Sequence, residues 1–239
     1  MRKPIFPIRG KPVAALALAF VAGLTASAPA AAQVAPTAAE AAGYRGLHAA
    51  AFAGNPADIR KLAAAKADLN ARDSHRRTPL HVATFARRRE ALRALAQAGA
   101  GLDLLESDRY DAVTIAAVAD DEETLRALLE LGASAKQVTS RYDGTALIAA
   151  SHLGHDGVVR QLIAAGAPLD HVNNLHWTAV IEAIVLGDGG PRHQATLRAL
   201  IEAGANLQLQ DRTGNTPLQL ARSRGLAPMV RMLEAAGAK

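Results

Sequence analysis

The sequence predicts an all-α solenoid of about six helix-turn-helix units linked by short turn fingers, and three observations predict it. One short phrase returns six times, opening at Arg45, Thr78, Asp111, Thr145, Thr178 and Thr216, with steps of 33, 33, 34, 33 and 38 residues. A Gly-Ala pair closes most units: Gly99-Ala100, Gly132-Ala133, Gly166-Ala167, Gly204-Ala205 and Gly237-Ala238. Between the two markers run two apolar stripes at helical spacing. A unit this small cannot bury its apolar face alone, so a period of this size means stacked neighbours that share one core.

Each element follows from its residues. In Thr78-Pro79-Leu80-His81, the threonine is placed to cap a helix and the proline sits at the first helical position, where its missing N–H does no harm. Thr216-Pro217-Leu218 repeats the arrangement. Two positions after each start stands Leu47, Leu80, Val113, Leu147, Val180 or Leu218, and three further on stands Ala50, Ala83, Ala116, Ala150, Ala183 or Ala221. That spacing keeps both on one helical face, and the alanine admits a neighbouring helix at close range. The second helix is anchored by Ile59, Leu92, Leu125, Val159, Leu197 and Val230, each followed three residues later by Leu62, Leu95, Leu128, Leu162, Leu200 or Leu233. The glycine that comes next suits the left-handed residue ending a helix. Polar stretches such as Asp211-Arg212-Thr213-Gly214-Asn215 supply the turns.

This pattern resembles the ankyrin repeat, with its Thr-Pro-Leu-His-x-Ala, Gly-His and Gly-Ala signatures. The best copies are Thr78-Pro79-Leu80-His81-Val82-Ala83 and Gly154-His155-Asp156-Gly157-Val158-Val159, and the resemblance covers roughly Gly43 to Lys239. Asp111 and Thr114 depart from the motif in the third unit, and the fifth reads Thr178-Ala179-Val180-Ile181. The resemblance implies an ankyrin-repeat solenoid with short β-turn fingers and a concave face used to recognise other proteins. His48 and His81 then serve hydrogen bonds within and between units.

The first 32 residues are a different object. Arg2, Lys3, Arg9 and Lys11 precede an apolar run from Val13 to Leu24, and Ala30-Ala31-Ala32 offers a small-residue cleavage site. That order predicts a cleavable signal peptide over 1–32, a lead-in over 33–42 and the repeat domain over 43–239; the apolar run is short for a membrane span. An uncleaved N-terminal anchor is the alternative. Four of the 27 basic residues and none of the 22 acidic ones precede Gln33, which leaves 23 against 22. The basic character thus belongs largely to the leader, and a nucleic-acid partner loses its support. There is no cysteine, hence no disulfide, thiol nucleophile or lipoprotein-type acylation site. The alanine-rich leader points to a bacterial envelope and most simply to the periplasm, with secretion beyond it as the variant reading.

The aromatic residues mark the expected recognition face. Of eight, Phe6 and Phe20 lie in the leader, leaving Tyr44, Phe52, Phe85, Tyr110, Tyr142 and Trp177. Tyr44, Tyr110 and Trp177 stand just before a helix start, Tyr142 three before one, and Phe52 and Phe85 at the end of a first helix. In arrays of this type such positions line the concave face, where aromatics contribute disproportionately to binding. The competing role is packing against the next unit's turn. Polar neighbours at equivalent positions are His75, Arg77, Asp108, Arg141, His152, Asn174, Arg212 and Asn215. Two weaker features are the inserted stretch Gly187–Gln194, read as a flexible turn, and Arg87-Arg88-Arg89, read as a solvated helix end.

Chemistry is scarce. No Gly-x-Ser-x-Gly, His-Glu-x-x-His or phosphate-binding glycine loop occurs, and the glycines around Gly189 lack the strand a dinucleotide site needs. His152 and His155, with His171 and His176, are the one cluster with metal-like spacing. His155, however, belongs to the Gly-His turn while His152 faces the concavity, so no metal and no cofactor are expected. The reading is a non-catalytic, periplasmic interaction module, monomeric alone, free of membrane once processed, and binding another protein as adaptor or protective partner of an envelope enzyme. A link to peroxide defence is implied by resemblance to periplasmic ankyrin proteins of that kind. The alternatives are an immunity protein that blocks a toxin, and a metal or enzymatic protein built on the same framework.

Overall fold

The computed structural model describes residues 33–239; the expected leader, 1–32, lies outside the described residues. After α1 (Ala38–Gly43) come six helix pairs: α2 (Gly46–Ala53) with α3 (Pro56–Ala64), α4 (Pro79–Phe85) with α5 (Arg89–Gln97), α6 (Ala112–Val118) with α7 (Glu122–Glu130), α8 (Ala146–Leu153) with α9 (Asp156–Ala164), α10 (Ala179–Val185) with α11 (Pro191–Glu202), and α12 (Pro217–Ser223) with α13 (Ala227–Ala235). A two-residue antiparallel pair, β1 (Val138–Thr139) and β2 (Gly144–Thr145), forms the finger ahead of α8.

The six predicted starts are the six N-caps of the first helices. In five of them the side chain accepts the N–H three residues on; Asp111, the departure from threonine, does so at 2.7 Å to Thr114. Arg45 alone makes no side-chain cap. Each closing glycine takes positive φ, and in the first unit Lys66 occupies that place at φ 63°. A lysine there carries a backbone cost that glycine avoids.

The two leucine and alanine columns of the first helices are buried throughout. In the second helices the structure corrects the reading at both ends of the stack. Interior units bury two adjacent positions, such as Ala91 with Leu92 and Val158 with Val159. The first unit exposes Asp58 and half-exposes Leu62, while the last buries Met229 and leaves Val230 half-exposed. One column therefore packs toward the preceding unit and the other toward the following one, and each terminal unit lacks one neighbour.

Consecutive units are clipped together by side chains that satisfy helix-end carbonyls. Arg88 Nε donates to Phe52 O at 3.1 Å, His155 Nδ1 lies 2.9 Å from Ala117 O, His193 Nε2 lies 2.9 Å from His152 O, and Arg224 reaches Ile184 O, Val185 O and Gly187 O. Arg87 and Arg89 pair forward with Asp121 and Glu123. The arginine run is thus exposed but anchored to units on both sides, rather than simply a solvated end. The insertion is likewise not a loose turn. It lengthens α11 to 12 residues and places Arg192 against Asp120 at 2.8 Å and Asp156 at 3.4 Å. At Gly187 an added Cβ would sit 2.1 Å from Ala183 O, so only glycine fits.

Candidate partner-binding face

Four of the five fingers are built around one side-chain acceptor. Asp73 Oδ1 accepts the N–H of His75 and of Arg77 at 2.9 and 2.8 Å; Glu106 Oε1 accepts those of Asp108 and Tyr110 at 2.9 and 3.1 Å. Asn173 Oδ1 does the same for Leu175 and Trp177, and Asp211 Oδ1 for Thr213 and Asn215. Neighbouring fingers are then tied by backbone bonds: Ser107 N to His75 O, Ser140 N to Arg109 O and Asn174 N to Tyr142 O. The tips form one continuous row beside the first helices.

Several predicted residues come together along this row. Arg141 pairs with Asp108 at 3.1 Å, Asn174 Nδ2 donates to Arg141 O at 3.0 Å, and Arg212 donates to Asn174 O at 2.8 Å. Arg109 and Asp143, which the sequence reading passed over, form a second cross-finger pair at 2.9 Å. Tyr142 is exposed on this row, while Tyr110 and Trp177 are half-buried. Phe52, Phe85 and His152 stand on the last turns of α2, α4 and α8. Asn215 turns inward on its own finger, donating to Thr213 Oγ1.

Arg77 and Tyr44 are corrections. Arg77 is 0% exposed and offers a partner nothing. Its Nε meets Asp73 at 2.7 Å, one Nη meets Glu40 at 2.7 Å, and the other donates to Val34 O at 3.0 Å. The lead-in covers it, and Gln33 Nε2 continues across to Thr114 O at 3.1 Å. Tyr44 donates its hydroxyl to Asp73 Oδ2 at 2.8 Å and packs against the core and the rings of His48 and Phe52. These contacts are the packing role weighed for it, at a partly buried position. His75 is similarly engaged, 2.8 Å from Glu40.

The electrostatics follow these contacts. Hydrogen bonds from Thr37, reinforced by Arg77, hold Glu40 down at about 2. Burial pushes Asp73 up, but the bonds from Tyr44 and Arg77 win and leave it below its usual range. Burial opposes the Arg77 charge, and its pairing with Asp73 more than offsets that. His81, buried with Nδ1 facing Thr78 and Nε2 3.2 Å from Tyr110 O, is driven to about 4 by desolvation. His48 makes the equivalent reach to Arg77 O at 2.9 Å.

One residue at this face went unread. Glu182 on α10 is 4% exposed, and burial pushes its carboxyl up to about 7. Oε1 accepts from Asn173 Nδ2 at 2.9 Å, whereas Oε2 has no hydrogen-bond partner. His152, its own pKa lowered by burial, lies 3.6 Å from that oxygen. The signal was available: four residues past each start stand Ala49, Val82, Ile115, Ala149, Glu182 and Leu220, a column with one charge. The four histidines weighed for a metal do not converge: His155 is engaged with Ala117 O and His171 with Asp143 O. Among the described residues no group of three or more metal-ligating side chains comes together, and no helix is long and apolar enough to cross a membrane.

Comparison with known proteins gives a consistent family. A family model described as "Ankyrin repeats" matches in three copies, over residues 47–139, 113–211 and 147–239. The ankyrin repeat protein YahD of Escherichia coli (strain K12) is 42% identical over 100 residues, 41% of this chain and 50% of that protein, so the match spans about half the relative's length. A crystal structure of an ankyrin repeat domain from Acinetobacter baumannii AYE shares 42% identity with a TM-score of 0.76, covering 81% of this chain and 98% of that one. The ankyrin repeat domain of Bcl-3, described as a unique member of the IkappaB protein family, shares 29% identity with a TM-score of 0.73 over 82% of this chain and 88% of its own.

Proposed function

The chain belongs to the ankyrin-repeat family, whose arrays generally mediate protein–protein interaction, and on that premise we propose that it is a non-catalytic module binding a partner protein through its fingers and first helices. The observation that carries this reading is the cross-finger row. Exposed Tyr142 stands among Asp108, Arg141, Asn174 and Arg212, with Tyr110 and Trp177 half-buried beside it. Such a mixed aromatic and polar strip matches the composition of protein interfaces. The lead-in covers Arg77 on the first finger, so the partner's footprint is centred on the later fingers, from Asp108 to Arg212. The leader-like order of 1–32 supports export to the periplasm, where the module acts as adaptor or protective partner of an envelope enzyme.

The test is affinity capture from a periplasmic extract with residues 33–239 as bait, beside a bait carrying Tyr110→Ala, Tyr142→Ala and Trp177→Ala. A protein retained by the first and lost from a still-helical second is the expected result. Equal retention by both would remove the aromatic row from the interface. Cell fractionation with mass measurement of the processed chain checks export and a start at Gln33.

A further inference from the structure

The junction between the fourth and fifth units holds a buried charge that the stack itself does not complete. Glu182 occupies a helix position filled by Val82, Ile115 and Leu220 in other units, so the fold accepts an apolar residue there. A carboxylate in that place loses hydration that one hydrogen bond from Asn173 does not replace. Oε2 is shielded and unpartnered, and the ring of His152, with a third of its side chain exposed, lies 3.6 Å from it.

The first junction shows what completion looks like. There the residue just before the helix start is Tyr44, and its hydroxyl crosses to the acceptor of the next finger, Asp73. At the fourth unit the same position is Gly144, which has no side chain to cross; the crossings there are made from the fifth finger, by Asn174 to Arg141 O and His171 to Asp143 O. The fifth finger's acceptor, Asn173, instead spends its amide on Glu182 while its oxygen holds the N–H of Trp177. Tyr142 and Trp177 belong to the fingers ahead of the fourth and fifth units, and aromatic faces suit the flanks of a cation. Two candidate ligands from the chain, one carboxylate and one imidazole, are too few for a metal centre. They suit a single organic cation.

We propose that the junction between the fourth and fifth units opens into a recognition pocket for one basic side chain, a lysine ammonium or arginine guanidinium of the partner protein. It enters beside Gly144, displaces the ring of His152 and pairs with Glu182 Oε2. This deepens the protein-binding reading and rests on it.

The test uses small probes, so it is independent of whether any partner is captured. Isotopically labelled protein is titrated with the Nα-acetyl methylamides of lysine, arginine and norleucine, following the Glu182 side-chain carboxyl, the His152 ring and the Asn173 amide by NMR. Saturable shifts from the basic probes, tighter than norleucine by roughly tenfold, are expected. Glu182→Gln should abolish that preference, and Gly144→Tyr should block the probes while Glu182 remains in place. Shifts that do not saturate, equal response to norleucine, or an undiminished preference in Glu182→Gln would overturn the pocket. A failure there leaves the capture experiment untouched, and a failed capture leaves probe selectivity readable.

Discussion

The first and fourth junctions of the finger row use one repeat register to opposite effect. Around Arg77 every charge has a partner: Asp73, Glu40 and Val34 O surround the guanidinium, and Tyr44 completes Asp73. Around Glu182 one oxygen is left over, and the His152 ring 3.6 Å away has its own charge disfavoured by burial. The first junction's polar set is completed by the chain's own lead-in; the second leaves Glu182 Oε2 unpaired. Burial alone does not distinguish them, since Arg77 and Glu182 are both nearly inaccessible. Completion of the hydrogen-bond set does.

The sharpest way to break this contrast is Arg77→Ala. Removing the guanidinium takes the cation from Asp73, whose side chain is largely buried, and unties Glu40 and Val34 of the lead-in. A loss of about 3–5 kcal/mol is expected, because truncating one partner leaves a buried charge unpaired. Denaturant unfolding measures it, and limited proteolysis should show cleavage within 33–43 well before the array is cut. A cost below about 1 kcal/mol would mean that the lead-in merely lies on the surface.

The open junction should respond in the other direction. The Glu182 carboxyl has its pKa raised from 4.5 to about 7 by burial. A raised folded pKa means that the protonated form is favoured by folding, so this stability is present below pH 4.5 and lost as pH rises through 7. Glu182→Gln removes the titration while keeping a hydrogen-bonding shape. It should stabilise the protein by about 1–3 kcal/mol at pH 8 and change little at pH 4.5. Thermal melts at the two pH values check the sign. Glu40 runs opposite: its pKa is lowered to about 2, so its contribution is present above pH 4.5 and lost as pH falls through 2. Acid should loosen the lead-in while relieving the Glu182 junction.

Much of this was legible in advance, and the exceptions share a cause. Periodicity located all six helix starts because capping and apolar spacing are local. It failed at Val230 and Leu62, where burial depends on whether a neighbour exists. Arg77 read as a surface residue because its position in the unit is a finger position. What buries it is Val34 and Glu40, some forty residues earlier and outside the repeat. The charge of Glu182 stood in plain view, but its meaning depends on the absence of a side chain at Gly144 in the unit before. Both misses depend on residues beyond a single unit, which the period alone does not encode.

A third comparison lies within a single ion. Tyr44→Phe deletes the hydroxyl that completes Asp73 and keeps the ring against the core. A hydrogen bond to a charged acceptor contributes about 1.5–3 kcal/mol, and Asp73 retains its bond to Arg77. The expected loss lies at the lower end, about 1.5 kcal/mol, read as a shifted denaturation midpoint with an unchanged slope.

The smallest effect on folding should be the largest on recognition. Arg141 is exposed and pairs with Asp108 on the neighbouring finger. A surface pair of this kind contributes about 0–1 kcal/mol, because water screens it and two long side chains must be ordered. Arg141→Ala should therefore leave the melting temperature within a degree or so of wild type, while Asn174 still accepts the donor from Arg212 and still reaches Arg141's backbone oxygen. If the row is the interface, the same substitution weakens capture of the partner and lowers its association rate at low salt more than at high salt. Loss of stability without loss of capture would recast the finger pairs as struts of the stack, and would move the interface off the row toward the gap at Glu182.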